Sequence, residues 1–169
     1  MKKNIIFLIP SIEGGGAEKV TADLSNMFVN ENYNVVILCV YKKRLKEYSL
    51  NKKIKIRYLN SERIIYSIFK LFLFLNNSEE SIVISSITPL NCIASLIKLF
   101  IRKHYLILMQ HEIPSFEFNQ KIFSIRLLPL CIKLFYRFSD SIIASYGSIP
   151  SSSKEFGSLI GMFFDNKYK

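Results

Sequence analysis

Short, unbroken apolar runs alternate along this chain with longer segments of helical periodicity, and that alternation restricts the fold more than any other feature. Ile5–Ile9, Val35–Tyr41, Ser81–Ser86 and Tyr105–Met109 have the length and continuity of buried strands, and Ser141–Ser145 reads as a last strand. Ile54–Leu59 instead alternates apolar with polar residues, which predicts one wet face or an edge position. Between the first two runs, Ala17, Val20, Thr21, Leu24, Met27 and Phe28 recur at helical spacing, with Lys19, Asp23, Asn26 and Asn30 on the other side. Glu62–Leu75 reads as a second helix. Pro89 is placed to start a third that runs to Ile101, and Gln120–Phe138 makes a fourth, kinked or divided at Pro129. Strands joined by helices of this length require crossover connections. The predicted fold class is therefore α/β, a Rossmann-like parallel sheet with helices on both faces.

Such sheets bind ligands at the carboxyl ends of their strands. Gly14-Gly15-Gly16 leave the first strand at that end and open the first helix, where unpaired N–H groups and the positive end of the helix dipole can receive an anion. A tight turn with positive φ would need one glycine, whereas three leave bare backbone that suits close approach. From the local pattern alone, a phosphate seat and a structural turn both stay open. Two familiar sites are excluded: no hydroxyl residue follows Lys19 as a Walker A loop demands, and the second strand runs into Lys42-Lys43-Arg44 where a ribose-binding carboxylate would stand, so NAD is not expected. The loop after the Tyr105–Met109 strand carries His111, Glu112 and Pro114 to the same edge. Two polar features thus converge there.

The 169 residues suit one domain, at residues 1–150, followed by a tail or linker at 151–169. No apolar run reaches membrane-spanning length, and the stretch before Pro10 is too short for a signal peptide, so a cytoplasmic chain is expected. Cys39, Cys92 and Cys131 sit singly in apolar sequence and read as buried, reduced thiols. With two histidines and no helical His pair, no metal site is expected. The net charge is +10, and cations are interleaved with apolar segments, as in "RIIYSIFKLFLFLN". That pattern favours an anionic membrane surface over nucleic acid as partner, with a peripheral position at the inner face of the cell membrane.

The opening, "IIFLIPSIEGGGAEKVTADLSNMFVNENYNVVILCV", resembles the N-terminal domain of family 4 glycosyltransferases of the GT-B fold, with Tyr33-Asn34 in place of the Gly-His that usually precedes the second strand. "VISSITPLNCIASLIKL", "LILMQHEIPS" and "SDSIIASYGSI" extend the resemblance over about residues 4–150. It implies transfer of a sugar from a nucleotide-sugar, used as substrate with no cofactor or metal, to a glycan or polyprenyl-linked acceptor. Gly14, Gly15 and Gly16 would then lie against the donor diphosphate, with Glu18 shaping the loop. His111 would face the transferred sugar as the catalytic residue, and Glu112 would be an accessory. Family members carry a second domain with a Glu-x7-Glu motif, which this sequence lacks. The resemblance therefore implies half of a two-domain enzyme, inactive without a C-terminal domain: a fragment, a truncated gene product, or one subunit of a split enzyme that works with a separate donor-binding subunit. The alternatives are a non-catalytic acceptor-binding or membrane-docking module, or a degenerate remnant.

Overall fold

The computed structural model describes residues 3–12, 15–42, 48–110 and 128–144. Six strands form one sheet: β1 (Asn4–Ile9), β2 (Asn34–Cys39), β3 (Lys55–Tyr58), β4 (Ile82–Ser86), β5 (Tyr105–Gln110) and β6 (Ser141–Ala144). Their order is β3-β2-β1-β4-β5-β6, and every pairing is parallel. The helices are α1 (Gly16–Asn30), α2 (Ile68–Asn77), α3 (Thr88–Lys98) and α4 (Leu128–Phe135). A 3₁₀ turn at Ile64–Ser67 leads into α2, and another at Tyr136–Phe138 follows α4. The α/β fold with helices on both faces is the one the alternation requires.

The continuous hydrophobicity of the inner strands has a direct cause, because each strand feeds two cores at once. Ile5, Phe7 and Ile9 of β1 join Leu24, Phe28 and Val29 of α1 on one face. Ile6 and Leu8 join Leu71 and Leu75 of α2 and Leu90, Ile93 and Ile97 of α3 on the other. Fully burying each such side chain contributes about 1.5–3 kcal/mol. α4 packs on α3. β3 is an edge strand whose exposed and half-buried residues alternate, so its period-two pattern marks one wet face.

Element ends depart from the sequence expectation by a few residues. The Glu62–Leu75 helix is split into a 3₁₀ turn and α2, which runs on to Asn77. α3 stops at Lys98 instead of Ile101, and Gln110 is the last residue of β5 instead of the first of a loop. The expected helical sequence at 120–127 lies outside the described residues, and Pro129 falls at the start of α4. Cys39 and Cys92 are buried, whereas Cys131 is only half-buried because α4 covers the sheet less deeply than α3. Among the described residues no helix is long and apolar enough to cross a membrane.

α1 closes without glycine. Asn32 takes a left-handed conformation, φ 66°, and its N–H bonds the Val29 carbonyl at 3.1 Å while Tyr33 N–H reaches Phe28 O at 3.0 Å. This pair of bonds is the Schellman arrangement, and the apolar contact that accompanies it is Phe28 against Tyr33, ring centroids 5.3 Å apart. The same Tyr33-Asn34 that replaces Gly-His in the sequence thus helps to end α1 and start β2.

The opposite, amino edge is fastened by polar side chains. Asn34 Nδ2 donates to Asn4 Oδ1 at 3.0 Å, and Asn4 Nδ2 donates to Glu79 Oε2 at 3.0 Å, linking β2, β1 and the approach to β4. Asp140 Oδ2 accepts from Leu106 N–H at 2.7 Å and pairs with Lys98 Nζ at 2.6 Å, so one carboxylate holds β6, β5 and α3 together.

Candidate functional site

β1 and β4 are neighbours that run on to opposite sides of the sheet, since β2 and β3 extend one flank and β5 and β6 the other. The reversal opens a crevice at their carboxyl ends, where Leu8 lies opposite Ser85. Two turns border it. One is the β1–α1 turn, with Ser11, Ile12, Gly15 and Gly16; the other is the β4–α3 turn at Ser86-Ile87-Thr88.

Neither described glycine of the first turn needs a left-handed backbone. Gly15, the residue that caps α1, is extended at φ −99°, ψ 178°, and Gly16 is helical. Their bareness matters through space instead, and differently at each. A Cβ on Gly15 would strike the Glu18 carboxylate, because Glu18 stands three residues on and folds back over the helix start. A Cβ on Gly16 would meet nothing within 4 Å. No side chain caps α1, so its first N–H groups are left for an anion. The Glu18 carboxylate already occupies part of that positive end. Tyr48 reaches over from the segment before β3, its hydroxyl donating to Gly15 O at 3.3 Å.

The second turn is strained. Ile87 has φ 82°, ψ 126°, a conformation that a β-branched residue rarely adopts and that costs on the order of 1–3 kcal/mol. It caps α3, again with no side-chain bond to the helix N–H groups. Behind it runs a buried polar network. Gln110 Nε2 donates to Thr88 Oγ1 at 3.0 Å, Tyr136 Oη donates to Gln110 Oε1 at 3.0 Å, and Asn91 Nδ2 donates to Met109 O at 3.1 Å. Ser85 Oγ, Ser86 Oγ and Asn91 Oδ1 are buried beside it without a hydrogen-bond partner among the described residues. Buried polar atoms of this kind call for a water or a ligand group.

Of the sequence-predicted residues, Gly15, Gly16 and Glu18 come together at the α1 start. Gly14, His111 and Glu112 lie outside the described residues. The Thr88–Gln110–Tyr136–Asn91 network escaped sequence reasoning. Its one legible signal was Thr88, Asn91 and Ser95, spaced three and four residues apart in a helix that is otherwise apolar up to Lys98. Among the described residues no three His, Cys, Asp or Glu side chains are grouped to hold a metal.

A six-stranded parallel sheet in this order, with its crevice at the switch point, places the chain among Rossmann-like α/β folds. No protein family matches the sequence, and a search of curated proteins finds no match. Among solved structures, the chain is similar to the DNA/pantothenate metabolism flavoprotein from Streptococcus pneumoniae, with a TM-score of 0.61, 11% identity and coverage of 100% of both chains. At that identity the likeness shows the fold alone. It nonetheless overturns the resemblance to family 4 glycosyltransferases: the fold that matches end to end belongs to a flavoprotein. The physical reason is that a strand, a glycine turn and a helix at a carboxyl edge are what any ligand-binding doubly wound sheet needs, so those residues identify the architecture and not the chemistry. Glycosyl transfer, polysaccharide synthesis and the half-enzyme expectation fall with the resemblance.

Proposed function

We propose that this protein binds a phosphate-bearing nucleotide in the crevice between the β1–α1 and β4–α3 turns. One observation carries the proposal: the reversal of strand order brings two helix starts without side-chain caps to one edge, and one of them presents bare backbone at Gly16. Helix starts of this kind hold phosphate through backbone N–H groups and the helix dipole. The orphaned hydroxyls of Ser85 and Ser86 add polar groups beneath the second turn. The likeness to a flavoprotein makes flavin mononucleotide the first nucleotide to offer. Gly16 and the free N–H groups fit its phosphate, provided that Glu18 turns away from Gly15.

Titration of the purified chain with flavin mononucleotide, uridine diphosphate and pyrophosphate, followed by calorimetry, tests this. Gly16→Ala decides the role of the glycine. Alanine is the better helix former by about 1 kcal/mol, and the site has room for its methyl, so the variant is expected to melt no lower than wild type. Binding is expected to weaken about tenfold or more, since the methyl stands where phosphate must approach. Unchanged affinity in Gly16→Ala would remove the phosphate from this turn.

The partner we propose for the cationic exterior is an anionic membrane surface, at which the protein sits peripherally, and not nucleic acid. Support comes from the +10 charge and from large apolar side chains left exposed among the cations.

A further inference from the structure

The segment from the 3₁₀ turn through α2, Ile64–Asn77, carries one charged residue, Lys70. Its inner stripe, Leu71 and Leu75 with Ile64, Ile68, Phe72 and Phe74 packed alongside, belongs to the core. Its outer stripe is as apolar as the inner one. Ile65 is 60% exposed, Tyr66 61%, Phe69 69% and Leu73 42%, and the spacing of Ile65, Phe69 and Leu73 puts them one above another on the helix surface. A helix that is hydrophobic all round belongs inside something, and only half of this one is inside the protein. Phe100, 73% exposed, lies three residues before Lys103, which donates to the carbonyls of Asn76 and Ser78 at the end of α2.

Cations border this face. Lys55 and Arg57 are exposed on the edge strand, opposite Val36 and Leu38 and hence on the side of the sheet that α2 covers. Arg63 and Lys70 flank the outer stripe, Arg63 lying over the Tyr66 ring at 6.0 Å, and Lys103 stands at the far end of α2. Glu62 is the sole acid in residues 48–77, and Glu79 and Glu80 follow the end of α2, Glu80 sharing a cavity with Arg102 and Lys103.

We infer that the outer face of the 3₁₀ turn and α2 docks on an anionic lipid bilayer. Ile65, Tyr66, Phe69, Leu73 and Phe100 enter the boundary between headgroups and acyl chains, and the bordering cations meet the headgroups. This assignment rests on the membrane reading above and gives it a place on the molecule. A second copy of the chain is disfavoured as the occupant, because the two rims of positive charge would face each other.

The chain has no tryptophan, so Phe69→Trp installs a single reporter. With the full chain and vesicles of phosphatidylcholine plus phosphatidylglycerol, its emission is expected to shift to the blue and to be quenched by lipids brominated on the acyl chain. Flotation should show wild type bound to these vesicles, less so as salt rises, and barely to pure phosphatidylcholine. Phe69→Ser and Leu73→Ser, both at exposed positions and so folded as wild type by circular dichroism, should each bind about tenfold more weakly. If wild type ignores both vesicles, the membrane reading itself fails. Should wild type bind while both serine variants bind equally well and the emission of Phe69→Trp stays unshifted, this face is not the docking surface although another is. A wild-type dimer in light scattering that Phe69→Ser dissolves would make a second copy the occupant and overturn the assignment.

Discussion

Asn32 shows how one residue can carry a turn. It holds a left-handed conformation that costs most L-residues roughly 1–2 kcal/mol, and asparagine tolerates it better than most. Asn32→Gly is expected to hold or slightly raise the melting temperature, and Asn32→Val to destabilise by about 1–2 kcal/mol in urea titration. Equal melting of the two variants would mean that the turn relaxes without cost. His104 is buried at the start of β5, Nε2 2.8 Å from Leu75 O. Burial lowers its pKa below the ordinary value; the bond to Leu75 O opposes this, while the charges of Lys103 and Lys98 reinforce it. The folded state therefore resists a proton that the unfolded chain accepts. The stability His104 provides is complete above the ordinary histidine pKa, near 6.5, and is lost as pH falls below it toward the lowered folded value. Melting temperatures measured from pH 7.5 downward should fall below pH 6.5, and His104→Gln should flatten that slope.

At the scale of elements, the β6 end of the amino edge depends on a single carboxylate. β6 is a short edge strand, and Asp140 ties its start to Leu106 N–H on β5 and to Lys98 on α3. Asp140→Ala would leave the partly buried Lys98 ammonium with only the His104 carbonyl as acceptor and a strand N–H unsatisfied, costing about 1–3 kcal/mol. The loss should be local before it is global: amide exchange is expected to quicken in β6 and β5 while β1 and β2 keep their protection. Uniform loss across the sheet would show that β6 does not open separately. At the carboxyl edge the bonds run instead among Thr88, Gln110, Tyr136 and Asn91. Ile87 stores strain there, and Ile87→Gly should stabilise the fold in a urea titration while altering nucleotide affinity, if the strained turn shapes the crevice.

For the whole molecule, the two cores on either face of the sheet make the inner strands its most protected part. Cys39 ends β2 in the middle of that structure, and burial pushes its thiol up to about 12, so it is unreactive as long as the sheet is intact. Thiol labelling under native conditions should therefore modify half-buried Cys131 first. Cys39 should react only at the rate of global unfolding. Rapid labelling of Cys39 would mean that β2 opens without the rest of the sheet.

The fold was legible because it is written in local periodicity. Ile5–Ile9 could not be apolar at every position unless both faces were covered, and the helical spacing from Ala17 to Phe28 could serve only one face, so a parallel sheet between helices followed from residues a few places apart. The glycine turn at the carboxyl edge was legible for the same reason. What each glycine does there was not, since the carboxylate that fills the space over Gly15 and the open space over Gly16 are properties of a folded helix start. The network of Thr88, Gln110, Tyr136 and Asn91 joins residues up to 45 positions apart, a pairing that no local pattern encodes. Nor does periodicity tell whether the second apolar face of α2 is covered, because covering is done by other parts of the chain or by a partner. The sequence by itself determined the architecture, since burial on one face or two imposes a local period. The tertiary structure alone decided which polar and apolar groups stay unpartnered, since that depends on contacts between segments remote in the chain.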